Sequence, residues 1–340
     1  MKILQKKRIY PIVLILVMFA IWKYRQSQPS QNFALTGTTM GTIAYNIKYI
    51  DPEGRNFKTG IDSLLTAFNQ SLSTYISDSE ISKFNNNTLL KFETDLFYPV
   101  LKKSKEVFNK TQGAFDPTIM PLVNAWGFGP DKAAVPDSTK VDSLRNLVGF
   151  NHLFFDEVSV CKLKKGLQLD FSAIAKGYAV DLVHDYLRNN GIENIFVEIG
   201  GEVAARGKGP HGKVWTIGIE DPTKNEFERT LFTAVELENQ AIATSGNYRN
   251  IRIVDGKKFA HTISPYTGFP IQQSLLSASV FAKDCMTADA YATAFMVLGM
   301  DKTKDILSQE KGIDAYLIFT NENGELEHFA TENIRPHILK

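Results

Sequence analysis

Cysteine is nearly absent: Cys161 and Cys285 are the only two among 340 residues. No CxxC pair exists, which excludes a zinc knuckle and a thioredoxin-like motif. The two thiols read as buried free cysteines, a single disulfide being the other arrangement an oxidising compartment permits. Charge of one sign is lacking as well, with a formal net charge of +1. No global field therefore gathers nucleic acid or an acidic membrane, and no basic stripe interleaved with aromatics supports a nucleic-acid partner. A P-loop motif is missing too, which argues against a P-loop nucleotide site.

What is present begins at the N-terminus. Lys2, Lys6, Lys7 and Arg8 precede an apolar run from Ile9 to Trp22, and Lys23 and Arg25 follow it. The run of 14 residues falls short of the roughly 20 that a spanning helix needs. Its flanking cations nevertheless give it the layout of an export signal, with the rest of the chain outside. No small-x-small cleavage site stands after Trp22. The expectation is an uncleaved signal anchor over residues 1–25, with a cleaved signal as the second choice. A polar tether follows over 26–32, and a single folded domain over 33–340 faces the periplasmic side of the cytoplasmic membrane.

Patterning of that domain predicts a strand pair from Phe33 to Tyr49 around Gly37 and Gly41, with Ile43, Tyr45 and Ile47 on one face. Helical spacing runs over Lys58 to Leu72, Asp95 to Phe108, Ala175 to Asn189 and Met286 to Leu298, with a further helix from Lys302. A Gly- and Pro-rich loop is expected from Gly113 to Pro136. Strands are expected at 152–155, 158–163, 167–170, 195–199, 203–206, 215–220, 231–237, 241–244, 275–281, 315–320 and 326–329. Helices and strands do not alternate regularly, which favours an α+β fold, one mixed α/β domain, over a doubly wound parallel sheet.

Several clusters carry residue types suited to chemistry. Asp289 and Thr293 stand four apart on a helix and share one face. A carboxylate beside a hydroxyl offers hard oxygen ligands suited to Mg²⁺, and the alanines around them leave the backbone open to close approach. A tightly packed core helix with an acid near its first turn would show the same pattern. Asp170 and Lys176 flank a strand-to-helix junction, a place that binds anionic groups, although a helix start capped by Ser172 fits as well. The turns Glu198-Ile-Gly-Gly-Glu202 and Thr244-Ser-Gly-Asn-Tyr248 let backbone amides approach phosphates, and plain hairpin turns look alike. His261, before a proline-glycine loop, suits a base or a stacking partner; a lone histidine is more often a hydrogen-bonded residue only.

Taken in order, these clusters resemble the ApbE family of FAD:protein FMN transferases. The resemblance runs through Gly37-Thr-Thr-Met-Gly-Thr42, Leu72-Ser-Thr-Tyr75 with Asp78 to Ile81, Gly113-Ala-Phe-Asp-Pro-Thr118 and Asp170-Phe-Ser-Ala-Ile-Ala-Lys-Gly-Tyr178. It continues through Glu198-Ile-Gly-Gly201, Thr244-Ser-Gly-Asn-Tyr248, His261 to Gly268 and Ala288-Asp-Ala-Tyr-Ala-Thr293. The resemblance implies an ApbE-like, T-fold-related domain that takes FAD as substrate and Mg²⁺ as cofactor. It transfers FMN onto a Ser or Thr hydroxyl of an acceptor protein, such as a redox-pump subunit, and releases AMP. Met40, Tyr75, Ala114, Phe115, Asp116, Asp170, Lys176 and Ile263 match positions that contact FAD. Asp289 and Thr293 match the metal-binding side chains, Ala173 a carbonyl ligand, and His261 the histidine at the reacting phosphate. The lipid-accepting cysteine of the family's lipoproteins is missing here. Hydrolysis of FAD to FMN and AMP, or flavin binding without turnover, are the alternatives the same residues allow.

Overall fold

The computed structural model describes residues 10, 13–18, 31–130, 135–224, 230–247, 251–254 and 257–339. Strand β1 (Gln31–Thr39) turns back into β2 (Ile43–Asp51), and Tyr45, Ile47 and Tyr49 of β2 bury alternate side chains, as a period of two requires. The turn is at Met40 and Gly41, both with positive φ (48° and 86°). Gly37 lies within β1 instead, where a Cβ would stand 2.5 Å from the Tyr45 ring. That glycine answers to close packing and not to a turn. Because β1 begins at Gln31, its first two residues take in the end of the segment read as tether.

The remaining strands are β3 (Leu89–Lys91), β4 (Leu153–Phe155), β5 (Ser159–Lys162), β6 (Asn194–Ile199), β7 (Glu202–Arg206), β8 (Trp215–Glu220), β9 (Leu231–Leu237) and β10 (Gln240–Gly246). They continue as β11 (Ile251–Val254), β12 (Lys257–Ala260), β13 (Leu275–Ala282), β14 (Asp314–Thr320), β15 (Leu326–Ala330) and β16 (Ile338–Leu339). Eight of them form one antiparallel sheet in the order β1-β2-β6-β7-β10-β13-β14-β15. Helices Lys58–Leu72, Ala175–Asn189 and Cys285–Gln309 cover one face. The other face carries the small sheet β16-β9-β8, with Phe196, Val203, Trp215, Leu237 and Phe281 buried between them. The result is the mixed α/β domain expected, with named strands paired antiparallel throughout.

Two helices matter most for the site. Ala175–Asn189 buries Ala175, Tyr178, Ala179, Val183 and Leu187 at helical spacing, and Gly191 just past its end takes φ 84°, the residue type that ends helices most easily. Cys285–Gln309 is broken at Gly299 (φ 73°), which reconciles it with two expected helices. Its first half buries Ala288, Ala290, Ala292 and Ala294 completely. Burying Phe295 beside them contributes roughly 1.5–3 kcal/mol.

Two expectations need correction. Residues 167–170 form no strand, only an isolated parallel bridge from Gln168 to Ile119. The loop read over 113–136 contains helix Met120–Ala125, started by a proline in its first turn. Helices Glu80–Asn86 and Ser138–Arg145 and the β11–β12 hairpin also lay unread. Both cysteines are free. No described helix is long and apolar enough to cross a membrane, and most of the segment read as an anchor, like Tyr248, lies outside the described residues.

Candidate active site

The site is built where the N-terminal ends of the two central helices meet. Gly177 lets them touch: a Cβ there would stand 2.2 Å from the Cys285 carbonyl oxygen and 2.8 Å from Asp289 Cβ. Gly177 is the third residue of its helix, where the N–H has no acceptor within the helix, and it donates to Asp289 Oδ2 at 2.9 Å. Ala173 stands just before the N-cap residue Ile174 of the same helix. The helix carrying Asp289 is itself fixed twice. Asp284 caps it by accepting from Thr287 N (2.8 Å), and Asp181 accepts from Cys285 N and Met286 N, each at 2.8 Å. Burial pushes Asp181 up to about 8, against those two hydrogen bonds and aided by the nearby charges of Asp284 and Asp185.

Asp289 is buried, and it shares the ammonium of Lys176 with Glu202. Lys176 Nζ lies 2.9 Å from Glu202 Oε1 and 3.5 Å from Asp289 Oδ1. Burial opposes the charge on Lys176, but the two carboxylates outweigh it and hold the ammonium above the usual lysine range. Burial raises Glu202 to about 7, with Lys176 pulling it down and Asp289 pushing it up. One turn beyond Asp289, the Thr293 hydroxyl stands 3.2 Å from Ser245 Oγ on β10. Asp289, Thr293 and Lys176 are therefore brought together as expected. Glu202 and Ser245 were missed as site residues. The available signal was an acid directly after Gly200-Gly201, and a serine two residues before Asn247.

A second cluster surrounds Asp170. Its carboxylate accepts from Ser172 N (2.9 Å) and Ser172 Oγ (2.8 Å), so Ser172 serves Asp170 and caps no helix; the N-cap position is Ile174, without a side-chain cap. Burial raises Asp170, the Ser172 bonds opposing it. Tyr75 is 72 % exposed, and its hydroxyl is raised by partial burial and then by the charge of Asp170. An exposed ring offers a stacking face to a ligand. Asp170 N donates to Pro117 O at 2.7 Å, joining this cluster to the turn over 114–116.

In that turn Ala114, Phe115 and Asp116 are buried. Asp116 accepts from Thr118 N (2.9 Å), Thr118 Oγ1 (2.6 Å) and Phe150 N (3.2 Å), and burial lifts it to about 6 against those bonds. Its carboxylate is thus committed to its own loop, leaving the backbone as the part that can meet a ligand. Met40 stands at the tip of β1–β2, and Ala44, in the following strand, meets the Gly200 turn: Gly200 N donates to Ala44 O at 3.0 Å. His261 follows β12, on a loop that packs against Trp126, whose indole N–H donates to Gly268 O at 2.8 Å. Ile263 is buried there with Leu122, Trp126 and Val141.

Among the described residues, no group of three or more His, Cys, Asp or Glu side chains is placed to hold a metal ion. The donors here are of another kind: the Asp289 carboxylate and the Thr293 hydroxyl, with the Ala173 carbonyl at the neighbouring helix start, all hard oxygens that suit Mg²⁺.

An acid, a lysine and a hydroxyl gathered at two helix starts beside an antiparallel sheet form a place able to take an anionic group. Comparison makes it specific: the model of the ApbE family matches residues 40–317, and the chain belongs to that family. It is 38% identical over 321 residues to an FAD:protein FMN transferase of Vibrio cholerae, covering 92% of this chain and 95% of that one. The Escherichia coli K12 protein of the same name is 34% identical over 342 residues, covering 96% of each. Among solved structures, a flavin transferase ApbE from Vibrio cholerae superposes with a TM-score of 0.82 at 37% identity, over 91% of this chain and 100% of that one. The apo form of a Pseudomonas stutzeri flavinyl transferase ApbE gives 0.78 at 34%, over 89% and 95%.

Proposed function

We propose that the protein is an FAD:protein FMN transferase, moving the FMN moiety of FAD onto a Ser or Thr hydroxyl of an acceptor protein and releasing AMP. The observation that carries this reading is the Lys176–Asp289–Thr293 cluster at the touching helix starts, where an anion, a cation and a hydroxyl oxygen can meet. Family membership supplies FAD as the substrate. The acceptor oxygen forms a bond to the phosphorus on the riboflavin side, the pyrophosphate bond breaks, and AMP leaves with the bridging oxygen.

Each residue then has a task. Lys176 neutralises the pyrophosphate, while Tyr75, Asp170, Met40, Ile263 and the 114–116 backbone orient the rest of FAD. Asp289, Thr293 and the Ala173 carbonyl would hold Mg²⁺. When bound, Mg²⁺ screens the pyrophosphate and stabilises charge on departing AMP. His261 takes the acceptor's proton. Residues 1–25, by their charge layout, hold the domain of 33–340 to the outer side of the cytoplasmic membrane, with 26–32 as the link.

The test is to incubate the purified protein with FAD, Mg²⁺ and an acceptor from a flavin-carrying redox pump, then weigh the acceptor. A mass gain of FMN less water, abolished by EDTA, is the expected result. FMN and AMP with an unmodified acceptor would replace the reading with hydrolysis, and intact bound FAD would leave a binder.

A further inference from the structure

The Lys176 ammonium has two buried carboxylates in reach, and their geometry is unequal. Glu202 Oε1 takes it at 2.9 Å and Asp289 Oδ1 at 3.5 Å, although Asp289 is the residue placed to hold a cation. Both carboxylates are almost fully buried, with 3% and 2% of the side chain exposed. The second oxygen of Glu202 is buried with no hydrogen-bond partner. Glu202 therefore spends its hydrogen bonding on Lys176 alone. Gly200 closes the cradle, since a Cβ there would lie 3.4 Å from Lys176 Cδ and 3.6 Å from Glu202 Oε2, and 2.8 Å from Ile43. An ammonium settled on Asp289 would compete directly with a divalent cation for the same oxygen, because two cations within about 4 Å repel strongly in a poorly solvated site.

We propose that Glu202 is a positioning residue that draws the shared Lys176 ammonium toward itself, weakening its hold on Asp289 so that a Mg²⁺ can displace it there and the ammonium stays ready for the FAD pyrophosphate. The inference rests on the reading of Asp289 as the metal-holding carboxylate. Glu202 acts here through Lys176 and not by touching the metal, and this separates it from a ligand. A ligand would matter whether or not Lys176 were present; a parking group matters only while there is an ammonium to park.

The experiment is a double-mutant cycle on Mg²⁺ affinity, read by isothermal titration calorimetry on the FAD-free protein. Glu202→Gln is expected to weaken Mg²⁺ binding about tenfold, because the ammonium relaxes onto Asp289. Lys176→Met is expected to strengthen it. Adding Glu202→Gln to Lys176→Met is expected to change it less than about twofold. If Glu202→Gln does not fold by circular dichroism, Glu202→Asp carries the same cycle with a carboxylate one methylene shorter. Unchanged affinity in the Glu202 variants would overturn the proposal, as would an equal loss with and without Lys176. Wild-type protein that takes up no Mg²⁺ would overturn the metal reading and this inference together, whereas the first two results strike the inference alone.

Discussion

At the scale of single residues, Asp289 joins fold and chemistry through different atoms. One oxygen holds the Gly177 amide and the other faces Lys176. Asp289→Asn keeps an oxygen for the Gly177 bond while removing the charge. The expected outcome is a folded protein with no measurable Mg²⁺ uptake and transfer slowed roughly 10²–10³-fold, as for loss of one preorganised electrostatic group. Acceptor mass against time checks it; wild-type rates in that variant would defeat the metal assignment. Asp181 makes a pH prediction. Its ordinary value is 3.8 and its folded value about 8, so between these the native protein keeps a proton that the unfolded chain has released. The stability held by that proton is present at low pH and is lost as pH rises through the folded value. Urea unfolding at pH 6 and pH 8 should show a fall that is smaller in Asp181→Asn by about 2 kcal/mol.

Between elements, Gly177 sets the distance at which the two central helices lie. Gly177→Ala forces its methyl against the Cys285 carbonyl and the Asp289 side chain, and overpacking of this kind costs about 1–3 kcal/mol. Urea midpoints should fall accordingly, and transfer should fall further, since Asp289 moves with its helix. Helix Ala175–Asn189 and strands β8 and β9 were legible in the sequence to the residue, because their apolar period and end signals agree. The short helices Glu80–Asn86 and Met120–Ala125 were not, because one or two turns give too little period to read. Residues 167–170 show the opposite error. Leu167 and Leu169 are buried as in a strand, but Asn85 pairs with the Leu169 amide and carbonyl in place of a neighbouring strand.

For the whole molecule, the described domain begins its pairing at Gln31, which bonds across to Asp51. A chain starting at Gln31 is expected to keep its thermal midpoint and its transfer rate on a soluble acceptor, because the first described strand of the sheet begins there. A lower midpoint by calorimetry would show that residues 1–30 belong to the fold. The site was readable only as far as residue types were distinctive: Asp289, Thr293 and Lys176 stood out from the sequence. Glu202 did not, because its part depends on meeting Lys176 of the helix Ala175–Asn189, and no spacing along the chain encodes that. Asp116 was readable as an acid in a turn, while its inward aim, set by Thr118 and Phe150, was not.

The bond from the Gly177 amide to Asp289 spans 112 positions of the chain. Its two ends come together only when both helices have docked, so the orientation of the carboxylate depends on long-range packing and not on its own helix alone. A partly folded chain has the same acids and hydroxyls but no coordinated arrangement of them. On the proposed reading of Asp289 as the metal-holding carboxylate, cation uptake reports on whether that docking is complete.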